Sequence, residues 1–107
     1  MVSASAERSN FNTAAYCIYN NDPNTFINTY GLLYNWYAVN KGNLCPVGWH
    51  VPDDNEWIDL INYLECIDKA GGKLKESGYL HWITPNTRAV DEYGFSALPA
   101  GWRSNRK

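Results

Sequence analysis

The sequence is short of cysteine, of long apolar runs and of excess charge, and each shortage excludes a class of protein. Its 107 residues contain three cysteines, Cys17, Cys45 and Cys66. Their separations of 28 and 21 residues match no zinc-ligand spacing, which needs close pairs. No stretch approaches the ~20 apolar residues that cross a bilayer, so we expect no direct membrane insertion. Nine basic and eleven acidic residues, a net charge of −2, argue against nucleic-acid binding.

The N-terminus lacks the apolar stretch of a signal peptide, since it reads MVSASAERSN. We therefore expect any export signal to lie on a longer precursor. Residues 1–13 are polar, small and without periodicity, which predicts a flexible N-terminal tail. A chain of this length forms one domain or part of one, and we assign residues 14–107 to it.

Aromatic residues are abundant, at 16 of 107. Five of them lie between Tyr34 and Trp57, a segment that also carries glycine and proline breakers and predicts a tight, aromatic-filled corner. Large aromatic side chains commonly anchor small cores. The prediction is that four tryptophans are largely buried and serve packing: Trp36, Trp49, Trp57 and Trp82.

Short elements separated by turn signals predict an α+β fold. Ala14–Tyr19 is typical of a strand, and Asn20–Asn24 (NNDPN) of a turn. Apolar spacings of three and four favour a helix over Leu32–Asn40, ending at Lys41-Gly42. The tyrosine, tryptophan and valine in that segment also suit a buried strand.

A second helix is predicted from Asp53, because Glu56 three residues later would complete a capping box. Its buried stripe would comprise Trp57, Leu60, Ile61 and Leu64, and it would end before Gly71-Gly72. Three other segments are predicted to be extended or strand-like: Gly48–Val51, Lys73–Ser77 and His81–Asn86.

Two groups of carboxylates invite a functional interpretation. Asp53, Asp54 and Glu56 suit acid–base chemistry or cation binding, but a helix start explains them equally, since acids favour its positive end. Asp91-Glu92 suits a calcium loop or a solvated turn. We favour the structural interpretation of both groups.

No complete catalytic motif is present. Cys45 would need a base such as His50 to act as a nucleophile, and a structural cysteine is the commoner case. Gly71-Gly72-Lys73 lacks the rest of a phosphate loop, and neither Ser96 nor Ser104 has the glycine frame of a nucleophile elbow. His50 and His81 are expected to be half-buried. We predict no catalytic residue, no metal site and no cofactor, and leave ligand-binding residues unassigned.

Several blocks together carry a resemblance to a known family. They are AYCIYNND (15–22), TYGLLYNWYAV (29–39), KGNLCPVGWHVPDDNEW (41–57), AGGKLKESG (70–78), HWITPN (81–86) and YGFSALPAGWR (93–103). In this order they resemble the Fibrobacter succinogenes major paralogous domain, found in surface lipoproteins and large secreted proteins of Bacteroidetes and Fibrobacteres.

The resemblance implies a C-type-lectin-like fold, similar to formylglycine-generating-enzyme-type domains, with two helices, short antiparallel strands and long ordered loops. It also implies an extracellular or cell-surface binding or adhesion module for a glycan or protein ligand. The family pattern extends beyond this chain at both ends, so the chain resembles a partial copy. A later cysteine of that pattern would pair with Cys45, which we therefore expect to be a free thiol. The sequence leaves open whether Cys17 and Cys66 pair with each other, because nothing in it sets their Cα separation.

Two alternatives to a binding module remain open. One is a structural or assembly segment completed by another chain, because a partial domain would expose unpaired strand edges that favour oligomers. The other is an oxidase like formylglycine-generating enzyme. That chemistry depends on a cysteine pair in the C-terminal half, and no cysteine follows Cys66.

Overall fold

The structure, a computed structural model, describes residues 2–3 and 12–104. The chain divides into two compact units, one of Met1–Val51 with Ala100–Lys107 and the other of Pro52–Pro99. Helices and strands are both present, which confirms the α+β class. The predicted flexible tail over residues 1–13 falls mostly on residues 1 and 4–11, which lie outside the described residues.

The first unit contains a small three-stranded sheet, whose strands are β1 (Val2–Ser3), β2 (Ala15–Ile18) and β3 (Leu32–Tyr34). Strand β2 lies in the centre, parallel to β1 and antiparallel to β3, with Cys17 opposite Leu33. The strand predicted over Ala14–Tyr19 is thus confirmed. Ala15 and Cys17 are buried and alternate with half-buried neighbours, as a strand with one covered face requires.

Helix α1 (Pro23–Tyr30) follows β2 after a short 3-10 turn at Tyr19–Asn21. The Asp22 carboxylate caps it by accepting the backbone N–H groups of Asn24 and Thr25, at 3.1 and 3.3 Å. The turn predicted over Asn20–Asn24 is therefore correct at its start and wrong from Pro23 onward. Proline suits the first helical position, because an N–H group there would have no hydrogen-bond partner within the helix.

The helix predicted over Leu32–Asn40 is wrong in its first half, because β3 occupies Leu32–Tyr34. Helix α2 (Trp36–Asn40) begins only after Asn35. The Asn35 Oδ1 accepts from the N–H groups of Ala38 and Ala15, each at 3.0 Å. One carboxamide thus caps α2 and ties it to β2, which explains the change from strand to helix at this residue.

The second unit contains α3 (Asp54–Tyr63) and α4 (Ile67–Leu74). The helix predicted from Asp53 does end before Gly71-Gly72, but it already ends at Tyr63, and the separate helix α4, which was not predicted, runs through both glycines. Backbone N–H groups of the following loop satisfy its last carbonyls: Val90 donates to Gly72 at 2.9 Å and Ala97 to Leu74 at 2.8 Å. A helix end held in this way tolerates residues of low helix propensity.

The remaining strand predictions are mostly wrong. In the edge-like piece predicted at Lys73–Ser77, the only strand-type pairing among the described residues is one isolated parallel bridge between Lys75 and Ala97. His81–Asn86 contains bends and a turn in place of a strand, and Pro85 within it has no N–H to donate to a strand pair. In the piece predicted to be extended at Gly48–Val51, Gly48 lies in a turn and the other three residues belong to no strand.

The core of the described residues is small. Six apolar residues are buried: Ala14, Ala15, Cys17, Ala38, Leu64 and Ala70. Leu64, directly after α3, is the one large side chain among them that is fully buried. Leu60 and Ile61 of the predicted stripe are only half-buried. Within the ranges described, no helix is long and apolar enough to cross a membrane.

Candidate functional site

The tryptophans predicted to form the core are mostly at the surface. Trp36 is 67% exposed, Trp49 77% and Trp57 45%. Trp82 is half-buried, and its indole N–H donates to the Ala97 carbonyl at 2.9 Å. The packing prediction is therefore wrong for the first three. Apolar spacing identifies a helix face, but burial also needs a second surface to cover that face.

Exposed apolar side chains occur in both units, and ten of them are aromatic. The first unit exposes Tyr34, Trp36, Tyr37, Trp49 and Trp102, and the second exposes Trp57, Tyr63, Tyr79, Tyr93 and Phe95. Single exposed apolar residues are ordinary on protein surfaces. A set of exposed aromatic residues that outnumbers the buried core residues is unusual. These exposed aromatic side chains are therefore the candidate contact residues.

A cavity of about 190 Å³ lies in the first unit, between the end of β2 and the segment after Ala100. Its walls include Ile18 and Leu33 from the sheet, and Asn20 from the 3-10 turn. Trp102 and Arg103 complete the rim. Apolar and hydrogen-bonding groups thus face the same small space, the usual composition of ligand sites.

Tyr19 positions this rim. Its ring packs against the rings of Phe26 and Tyr30, with centroids 5.0 and 5.1 Å away. A Cβ on Gly101 would approach the Tyr19 ring to 3.3 Å, and the Gly101 φ of +70° suits glycine best. The chain therefore passes close over the ring, which places Trp102 beside the cavity. Sequence reasoning missed this site because residues 19 and 101 are far apart along the chain.

The carboxylates at Asp53 and Glu56 form the predicted capping box. Asp53 Oδ1 accepts the Glu56 N–H at 2.9 Å, and Glu56 Oε2 accepts the Asp53 N–H at the same distance. Both carboxylates are thus bonded to the first turn of α3. The structural interpretation is confirmed by this geometry.

Asp91 and Glu92 are likewise engaged within the second unit. Asp91 accepts the Ser96 hydroxyl at 2.5 Å and the Ser96 N–H at 2.7 Å, and these bonds lower the pKa of its carboxyl group. Glu92 lies 3.4 Å from the Lys73 ammonium. Both carboxylates therefore help to hold the loop that follows α4 in its position against that helix. Among the described residues, no cluster of three or more metal-ligating side chains occurs.

Glu65 forms salt bridges with two lysines of α4. Its carboxylate is 2.5 Å from the Lys69 ammonium and 3.0 Å from that of Lys73. Hydrogen bonds from Lys69, and then from Lys73, lower the pKa of Glu65 to about 2. The same bonds raise the pKa values of both lysines. These groups stay charged at neutral pH and stabilise the junction of α3 and α4.

The three cysteines are all free thiols in this structure. Cys17 is buried in β2, whereas Cys45 and Cys66 are half-buried. A Cys17–Cys66 disulfide is therefore absent, and Cys45 is free as expected. A turn closed by the Trp49 N–H and the Pro46 carbonyl, at 3.0 Å, separates Cys45 from His50. This geometry gives the nucleophile interpretation no support.

His50 is exposed in place of the expected half-buried position, whereas His81 is half-buried as expected. His81 Nδ1 lies 2.9 Å from a carboxylate oxygen of Glu76. Nearby, the Asn86 carboxamide donates to the Glu76 and Gly78 carbonyls, at 3.0 and 2.7 Å. These bonds organise the loop after α4.

The described residues are therefore of the α+β class, with exposed aromatic side chains in each unit and a small buried core. The chain belongs to the family of the Fibrobacter succinogenes major domain, whose family model matches residues 2–107. This confirms the resemblance carried by the sequence blocks. No curated protein and no solved structure matches the chain. The C-type-lectin-like relation stays a prediction.

Proposed function

We propose that this chain is an extracellular or cell-surface binding or adhesion module whose contact surface is its exposed aromatic side chains. The observation that carries the proposal is the exposure of Trp36, Trp49 and Trp102 in the first unit. Indole rings offer large, rigid contact area at low conformational-entropy cost, to sugars and to protein surfaces alike. The ligand is accordingly a glycan or a protein.

Binding to a glycan array and to immobilised cell-surface proteins tests this function. We expect saturable binding to at least one ligand, weakened when exposed tryptophans are replaced. The matched control is Trp→Phe at the same positions, which keeps an aromatic face. Turnover of a small substrate by a chain that binds nothing would reject a binding module and favour the oxidase alternative.

A second function, a structural segment completed by another chain, is favoured by the small core. Only one large side chain among the described residues is fully buried, whereas eighteen large hydrophobic side chains are exposed. Large apolar surfaces of this kind are often covered in assemblies. Light scattering over a range of concentrations separates the two functions: a monomer supports the binding module, and a defined oligomer supports the assembly segment.

A further inference from the structure

The cavity beside Trp102 combines two kinds of surface. Trp102, which is 82% exposed, lines one side, and Leu33 lines an apolar part of the wall. Asn20 and Asn21 supply carboxamides, each with two donors and one acceptor. A ligand that suits this space must present an apolar face to the ring and hydrogen-bonding groups around its edge.

The polar side of the cavity is held in place by the backbone. Asn20 and Asn21 have φ values of 52° and 55°, in the left-handed region that asparagine tolerates better than most residues. The Asn21 Oδ1 accepts from the Arg103 guanidinium at 3.4 Å, which links the turn to the segment carrying Trp102. The Asn20 carboxamide makes no hydrogen bond to any described residue and is exposed at the cavity.

The volume of the cavity further limits the size of the ligand. A volume of about 190 Å³ is below the roughly 300–1,000 Å³ of sites for drug-sized molecules. A space of this size suits a small ligand such as one six-membered ring with its substituents. A protein segment or a long oligosaccharide would have to bind mainly outside it.

We propose that this cavity binds one pyranose sugar residue of a glycan. The C–H face of the sugar stacks on the Trp102 indole, and its hydroxyl groups bond to the carboxamide of Asn20. A pyranose has the required shape, because axial and equatorial groups leave it an apolar face and a polar edge. This inference rests on the proposed binding function and names its ligand class and its site.

Titration with methyl glycosides of glucose, galactose, mannose and N-acetylglucosamine tests the proposal, followed by tryptophan fluorescence and amide NMR shifts. We expect one of them to bind with Kd on the order of 1 mM. The shifts should centre on the Trp102 indole and on the amides of Asn20 and Asn21. Saturable shifts confined to another part of the chain, or no saturable shift with any of the four, would overturn it.

Matched variants locate the site. Trp102→Ala should weaken sugar binding about tenfold or more, whereas Val47→Ala should leave it unchanged, because Val47 is an exposed apolar residue of the same unit that does not line the cavity. Asn20→Gly removes the carboxamide without straining a positive φ, and should weaken binding roughly threefold to tenfold. Equal losses in the Trp102 and Val47 variants would contradict the assignment.

Two further results separate this inference from the proposed function. Saturable binding to an immobilised protein, with no response to any sugar, would overturn the sugar site and keep the binding module. Loss of both sugar and protein binding in a folded chain would overturn both. Oligosaccharides on the array that bind without any monosaccharide shift at Trp102 would place the glycan contact elsewhere and overturn this site alone.

Discussion

Asp53 shows at the residue scale how an acidic group that suggests chemistry is explained by folding. Its carboxylate and that of Glu56 both bond to backbone N–H groups of the first turn of α3. Asp53→Ala should destabilise the chain by about 1 kcal/mol, because one orphan N–H loses its acceptor. Denaturant unfolding measures the loss, with Asp54→Ala as the neighbouring control, expected to change stability less. Loss of calcium or ligand binding at unaltered stability would show that the carboxylate has another role.

The lowered pKa of Glu65 leads us to expect that the stability of the chain depends on pH. Because its pKa falls from 4.5 to about 2 on folding, the ionised form is favoured in the native state. Its contribution is therefore complete above pH ~4.5 and is lost as pH falls from ~4.5 toward ~2. Glu65→Gln should be less stable than the parent chain at pH 7, and the difference should vanish near pH 2.

Urea unfolding at several pH values between 7 and 2 measures this difference. High salt should reduce it at pH 7, because the groups are exposed and screened. A difference that stays constant down to pH 2 would mean that Glu65 acts through packing or backbone geometry and not through its charge.

At the element scale, the two adjacent glycines of α4 differ in their surroundings. A Cβ on Gly71 would meet nothing within 4 Å, whereas one on Gly72 would lie 2.5 Å from the Arg88 carbonyl oxygen. Gly71→Ala should therefore stabilise the chain by roughly 0.5–1 kcal/mol, through helix propensity. Gly72→Ala should destabilise it by roughly 1–3 kcal/mol, since backbone must move.

Thermal or urea unfolding of the two variants side by side gives the test, and each is the control of the other. Effects of the same sign would contradict the close approach of the Arg88 loop to α4. The pair also explains why sequence reasoning ended a helix at these glycines. Gly-Gly lowers helix propensity, but the close contact at Gly72 and the hydrogen bonds from Val90 and Ala97 are long-range and invisible in a local pattern.

Other elements were predictable to the extent that their signals are local. The capping box at Asp53 and the strand around Cys17 depend on neighbouring residues, and both predictions are confirmed. The start of α1 at Pro23 was missed because proline and asparagine also mark turns. The change from strand to helix at Asn35 depends on its bond to Ala15, twenty residues away.

At the scale of the whole molecule, the main error of sequence reasoning concerns burial. Trp36, Trp49 and Trp57 were expected to lie in the core, yet all three are exposed, and Leu64 is the large residue that is fully buried among those described. A sequence shows which residues are apolar, but not how much surface is available to cover them. The cavity at Trp102 was missed for a related reason, since its walls come from distant parts of the chain.

The central claim is that exposed tryptophans serve contact with a ligand and not stability. The most direct test measures unfolding free energy and ligand binding on the same samples of the Trp36→Ala/Trp49→Ala/Trp102→Ala variant. We expect stability to stay within about 0.5 kcal/mol per substitution, as is usual at exposed positions, while binding is lost. A loss of roughly 3 kcal/mol or more in this variant, with binding unchanged in the folded fraction, would show that at least one of these rings is a core residue and contradict the claim.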